Sequence, residues 1–131
     1  MQLCACGSKR AYQSCCGPYL THQKTPDAPE ALMRSRYTAY TRGDVGYIGK
    51  TMKGKAAIGF NAADSSTWAR RVTWIDLQVL KASDDAKTGT VEFMARFIDD
   101  GRLHCMHETS EFLYEAGHWF YVDGKQVTHA P

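Results

Sequence analysis

Four of the five cysteines fall within the first sixteen residues, as Cys4, Cys6, Cys15 and Cys16. A C-x-C step, eight intervening residues and an adjacent pair suit local disulfides poorly, because neighbouring cysteines bridge only through a strained ring. They suit a metal ion well. One loop delivers four thiolates, which is the closed, all-sulfur tetrahedron of structural zinc, an ion without geometric preference that tolerates irregular spacing. Zinc is the expected ion, and its expected role is structural, since four thiolates leave no open position for water.

The residues between the cysteine pairs fit that reading. Gly7 and Ser8 make the turn after Cys6, where a missing side chain lets backbone N–H groups point toward sulfur. Lys9 and Arg10 add positive charge beside a cluster of four negative sulfurs. Tyr12 is the expected lid and Gly17-Pro18 the exit of a knuckle too small for a core of its own. Such a loop folds with its ion, whose binding free energy of roughly 10 to 16 kcal/mol exceeds what so few side chains could bury.

A length of 131 residues, 44% of them hydrophobic, allows one compact domain beside the knuckle and no second one. The formal charge is +2; four bound thiolates subtract four charges and a divalent ion returns two, leaving about zero, so global attraction to nucleic acid is weak. No basic stretch followed by an apolar run opens the chain, and no apolar run approaches the length of a membrane span. A cytoplasmic location with reduced cysteines is expected.

Residues 19–28 read as a polar linker ending in TPDAPE. Pro29 and Glu30 suit the first turn of a helix, where a missing N–H is harmless and negative charge faces the dipole. From Leu32 to Arg42 a period of 3.6 places Leu32, Met33, Tyr37, Ala39 and Tyr40 on one face with Arg36 in its middle and Arg34 and Arg42 outside. Gly43 ends this helix, Asp44 caps a short second one over Val45 to Met52, and Lys53 to Ser66 reads as loop with one turn of helix. A further short helix, from Ser65 or Ser66 to Arg71, turns Trp68 inward.

From Val72 the period becomes 2. Ile75, Leu77 and Val79 alternate against Trp74, Asp76 and Gln78, which predicts a strand with a dry and a wetter face. A polar turn over Ser83 to Gly89, a hairpin at Asp99-Asp100-Gly101 and another turn at Glu115-Ala116-Gly117 separate three more strands. Strands in succession after a helical half predict an α+β fold, an antiparallel sheet packed on helices.

Arg36 is the second informative residue, because a guanidinium in an apolar stripe must find a carboxylate or carbonyls. Along Arg102 to Tyr114 one face carries Met106, Glu108, Ser110 and Phe112, which makes Glu108 the expected partner of Arg36, with Arg96 looking the same way. One outcome is a buried structural pair. The other is the polar floor of a ligand pocket with Tyr37, Tyr40, Ser110, Trp119 and Tyr121 around it. Asp76 with His104 or His107 would be the acid/base candidates, yet scattered solvent-exposed side chains are the expected reading. Cys105 and His107 share a strand face, but two ligands do not make a metal site, and a fifth cysteine midway along a strand is expected to be a small buried hydrophobe. Lys50, Lys53 and Lys55, and Arg70 with Arg71, read as solvated basic faces rather than a nucleic-acid track.

The run CACGSKRAYQSCCG, Cys4 to Gly17, resembles the SEC-C motif known from the C-terminal tail of the preprotein-translocase ATPase; Cys4, Cys6, Gly7, Ser8, Tyr12, Cys15 and Cys16 match it, and Lys9 and Arg10 match its basic residue loosely. LMRSRYTAY, Leu32 to Tyr40, and the pattern from Phe93 to Gly124 resemble the YchJ-type family of bacterial proteins. The resemblance implies a zinc knuckle over residues 1–20 joined to a cone-shaped domain over 21–131, like nuclear transport factor 2 and cystatin. Arg34, Ser35, Arg36, Tyr37, Arg96, Glu108, Ser110, Phe112, Trp119, Tyr121 and Gly124 match the family pattern. Many members carry a second SEC-C motif, and this sequence reaches Pro131 without one. The related translocase motif binds a chaperone, so the expected role is a binding or adaptor module whose knuckle recognises protein. A small-molecule-binding protein or enzyme with a pocket in the cone comes second and nucleic-acid binding third, since the fold alone does not select chemistry.

Overall fold

In the computed structural model, which describes residues 2–127, the N-terminal segment doubles back as a narrow hairpin. Leu3 bridges Ala11, Cys4 N donates to Arg10 O at 2.8 Å, and Tyr12 N donates to Gln2 O at 3.1 Å. Gly7 at its tip has φ 81°, and a Cβ there would lie 2.9 Å from the Leu77 carbonyl oxygen. Conformation and close approach therefore both demand glycine. A 3-10 turn, Tyr12–Ser14, then delivers Cys15 and Cys16 to the short helix α1 (Gly17–Leu20).

Helix α2 (Pro29–Thr41) starts on its proline, with Glu30 in the first turn. It stops where Gly43 turns the chain at φ 69°. Asp44 caps α3 (Val45–Lys50), its Oδ1 accepting from Tyr47 N at 3.0 Å. The one turn of helix expected within the loop from Lys53 is α4 (Gly54–Ile58). Helix α5 (Ala62–Arg71) begins earlier than the serines predicted, because Asn61 caps it: Oδ1 accepts from Asp64 N at 2.9 Å.

Strands β1 (Thr73–Asp84), β2 (Thr88–Asp99), β3 (Arg102–Glu115) and β4 (His118–Gln126) form an antiparallel meander in sequence order. Two-residue turns with positive φ at both positions join the last three, Asp100 with Gly101 and Ala116 with Gly117. Register shifts at Trp74/Asp76, Val79/Lys81 and Glu111/Phe112 bend the sheet. Helix α2 lies against its inner face, touching β1, β2 and β4. Leu32, Tyr37 and Ala39 of α2 pack there with Val91, Phe93, Ala95, Phe112 and Trp119. Cys4, Cys6, Cys16 and Leu20 belong to that same buried cluster, so the N-terminal hairpin is docked into the core. This is the α+β architecture expected.

One strand departs from the expected alternation. Trp74 pairs with Phe97 and Asp76 with Arg96, so Ile75 is an extra residue that bulges outward and is 44% exposed. The bulge brings Trp74 to the inner face. The expectation for Arg96 is corrected by the regular alternation of β2: its inner positions are Val91, Phe93, Ala95 and Phe97, and Arg96 stands outside.

Candidate metal centre and interior cavity

The four N-terminal sulfurs lie within 4.8 Å of one another, with Cys6 and Cys15 at 3.6 Å and Cys15 and Cys16 at 4.0 Å. A tetrahedral ion with sulfur ligands at about 2.3 Å sets sulfur–sulfur edges of about 3.8 Å, whereas a disulfide closes them to about 2.05 Å. All are free thiols, and their spacing is that of ligands around a metal ion. The charge balance agrees. Hydrogen bonding from the Cys16 thiol, against the opposing effect of burial, pulls Cys6 down to about 4. The same contact pushes Cys16 up, and burial pushes Cys15 up. A divalent cation among the sulfurs would favour the thiolate form of all four.

The surroundings of the sulfurs come from the hairpin and from one stripe of α2. Ser8 Oγ lies 3.1 Å from Cys15 Sγ, and Thr38 Oγ1 lies 3.6 Å from Cys4 Sγ. Arg34 donates from Nη1 to the Cys6 carbonyl at 2.7 Å and from Nε to Glu30 at 3.0 Å. The Arg42 guanidinium stands 3.7 Å over the Tyr12 ring. Residues 34, 38 and 42 are spaced four apart and share a helix face. Sequence reading placed Arg34 and Arg42 outside the apolar stripe, but only the folded hairpin reveals what they grip.

The neighbouring stripe of α2, Met33, Arg36, Tyr37 and Tyr40, lines a cavity of about 180 Å³ between this helix, α5 and the sheet. Glu108, Ser110 and Tyr121 line it too, so six of the eight residues expected around a pocket converge. The other two do not. Arg96 sits on the outer face of the sheet, bound to Asp76, and Trp119 is buried beyond the cavity, edge-on to Tyr114 with centroids 5.2 Å apart. The walls that sequence reading missed are aromatic and thioether groups, notably Trp68, Trp74, Phe93 and Met106. Trp68 and Trp74 meet edge to face at 5.2 Å. Only the Ile75 bulge, which leaves no mark in the alternation, brings Trp74 there.

Arg36 and Glu108 both reach the cavity, yet no ion pair joins them among the described residues. Arg36 turns instead toward the end of α3, donating from Nη1 to the Ile48 carbonyl at 2.8 Å and to Thr51 Oγ1 at 2.7 Å. That helix end offers carbonyls without intrahelical partners. Glu108 Oε2 accepts from Ser110 Oγ at 2.8 Å and from Tyr121 Oη at 3.4 Å. The expected direct pair is thus replaced by two charges that share one chamber. Burial lowers the pKa of Arg36 and raises those of Tyr40 and Tyr121.

The remaining candidates stay apart. Asp76 is engaged by Arg96, His104 stacks on Phe97 with centroids 5.3 Å apart, and His107 Nε2 lies 2.7 Å from Glu92 Oε2. Cys105, expected to be a small buried hydrophobe, is exposed instead, because it pairs with Arg96 on the outer face of the sheet, and the four N-terminal cysteines are the one metal-ligand group among the described residues. Of the basic faces, Lys53 pairs with Glu115, Lys55 with Asp123 and Arg71 with Asp99. No helix among the described residues is long and apolar enough to cross a membrane.

Comparison with known proteins agrees with this architecture. A family model described as YchJ, middle NTF2-like domain, matches residues 28–124. UPF0225 protein YchJ of Shigella dysenteriae is 38% identical over 125 residues, spanning 94% of this chain and 82% of that protein. The solution structure of a SEC-C motif containing protein from Rhodopseudomonas palustris superposes with a TM-score of 0.88 at 38% identity, covering 95% of this chain and 98% of that one. The crystal structure of a SEC-C motif containing protein from Psychrobacter arcticus gives 0.82 at 26% identity, covering 100% and 86%. With its cysteine cluster of the SEC-C kind set against an NTF2-like domain, this chain belongs to the YchJ family of UPF0225 proteins.

Proposed function

We propose that this chain is a zinc-stabilised binding protein, in which the ion fastens the N-terminal hairpin to α2 and the interior cavity receives a small organic molecule. Zinc is the ion that a closed set of four thiolates with no open position fits best. The observation that carries the ligand reading is the cavity itself: an aromatic chamber of about 180 Å³ that holds a guanidinium and a carboxylate not paired to each other. Apolar clefts with a few converging polar groups are the usual form of small-molecule sites. The test is saturation-transfer NMR with toluene on the zinc-loaded protein. Binding is expected in the wild type and loss in Ala95→Leu, which fills the chamber; no binding to the wild type overturns the reading.

A second reading, the knuckle as a protein-recognition element, is supported by one observation. Cys15 is the least buried of the four cysteines, and Ser8, Arg10, Tyr19, Glu30 and Arg34 line an open groove beside it. Pull-down from bacterial lysate with and without chelator tests it; partners indifferent to metal loss and to Cys15→Ser speak against it. Nucleic-acid binding ranks last, because several of the basic side chains already face carboxylates. Retention on nucleic acid that weakens steeply with salt would restore it.

A further inference from the structure

The two charged side chains of the cavity are each only partly satisfied. Arg36 commits Nη1 to the Ile48 carbonyl and the Thr51 hydroxyl, while Nε and Nη2 meet no protein acceptor among the described residues. Glu108 collects two hydroxyls on Oε2, and Oε1 meets no protein donor there. No fully buried side-chain nitrogen or oxygen among the described residues lacks a partner. The free atoms therefore keep some accessible surface, and with Arg36 only 6% exposed that surface belongs to the cavity and the cleft continuing from it past Tyr40. Tyr121 ties the two together, its ring 4.5 Å from the guanidinium and its hydroxyl on the carboxylate.

We infer that the cavity takes a small planar nitrogen heterocycle with a ring N–H beside a ring carbonyl, the N–H donating to Glu108 and the carbonyl accepting from Arg36. This rests on the ligand-binding reading above and specifies its chemistry. A guanidinium only donates and a carboxylate only accepts, so the occupant must show an acceptor next to a donor, as the edge of a cyclic amide does. The two protein charges cancel, and a neutral ligand preserves that balance; a cation or an anion would leave net charge in a poorly hydrated chamber. A zwitterion would match the charges but requires desolvating two more of them. Flat walls from Trp68, Trp74, Tyr37 and Tyr40 suit a ring. The size agrees: an apolar cavity of about 150 Å³ accepts benzene.

Three probes of nearly equal size separate the possibilities on the zinc-loaded protein: 2-pyridone, N-methyl-2-pyridone, which keeps the carbonyl and loses the donor, and toluene. The expected result is that 2-pyridone binds at least tenfold more tightly than either of the others, and that Glu108→Met brings the two pyridones within twofold. Toluene bound as well as 2-pyridone, or a preference that survives in Glu108→Met, overturns this inference while leaving the ligand-binding reading intact. Binding of none of the three overturns both.

Discussion

The Arg36 guanidinium lies 4.5 Å from the centre of the Tyr121 ring, and no carboxylate of the described residues pairs with it. The Tyr121 backbone is held by the segment around Met52: its N donates to the Thr51 carbonyl at 2.9 Å, and Lys53 N donates to its carbonyl at 3.0 Å. Thr51 accepts from Arg36 through its hydroxyl. One buried cation thus ties α2 to the end of α3 and to β4.

Replacing Arg36 removes these ties. Arg36→Met loses two hydrogen bonds and a cation–π contact while relieving the burial of a charge, and we expect a net loss of about 1–3 kcal/mol of stability. Urea unfolding measures it; an unchanged midpoint would show that the guanidinium contributes nothing to the packing.

Gly124 is crowded by the ends of two side chains. A Cβ there would fall 2.3 Å from Tyr121 Oη and 2.5 Å from Glu108 Oε2. Gly124→Ala should therefore cost about 1–3 kcal/mol and shift the NMR signals of Glu108 and Tyr121. Gly59, with φ −89° and nothing within 4 Å of a Cβ, is the control: Gly59→Ala should be neutral or stabilise by up to about 1 kcal/mol.

The cysteines divide sharply. Cys16→Ser removes a buried ligand and should abolish stoichiometric metal and melt the hairpin over residues 2–20, whereas Cys105→Ser, on the exposed sheet face, should leave metal content and melting temperature unchanged. Metal analysis with thermal unfolding distinguishes the two.

Alkali should unfold the protein through its tyrosines. Burial raises Tyr37 and Tyr47 from the ordinary 10.0 to about 12. Since the folded values lie above the unfolded one, stability is unaffected below pH 10 and falls as the pH rises from 10 to about 12. On the acid side, Arg96 and Arg71 hold Asp76 and Asp99 below the ordinary 3.8. Their contribution is present above that value and lost as the pH falls through the lower, folded values. Phenolate absorbance should rise together with unfolding; early ionisation of every tyrosine in the native protein would contradict the burial.

Much of this was legible in the sequence wherever local chemistry decides. The spacing of Cys4, Cys6, Cys15 and Cys16, the proline start of α2, the meander and the convergence of Arg36, Tyr37, Tyr40, Glu108, Ser110 and Tyr121 all follow from period and residue type. What was not legible depends on register. The bulge at Ile75 leaves Leu77 and Val79 on the inner face, as alternation predicts, but turns Ile75 out and Trp74 in; on β2, Met94 and Ile98, whose apolar side chains suggest an inward face for Arg96 between them, stand with it on the outer one. The Arg36–Glu108 pair failed for another reason: a long side chain can choose between a carboxylate and a helix end, and the position of Ile48 is a tertiary fact.

The claim on which the account most depends is that an ion held by sulfur alone joins the hairpin to α2. X-ray absorption at the zinc edge of freshly purified protein tests it directly. The account predicts one zinc per chain in a shell of four sulfurs at about 2.3 Å. A shell containing nitrogen or oxygen, or protein that folds with the hairpin ordered and carries no metal, would contradict it.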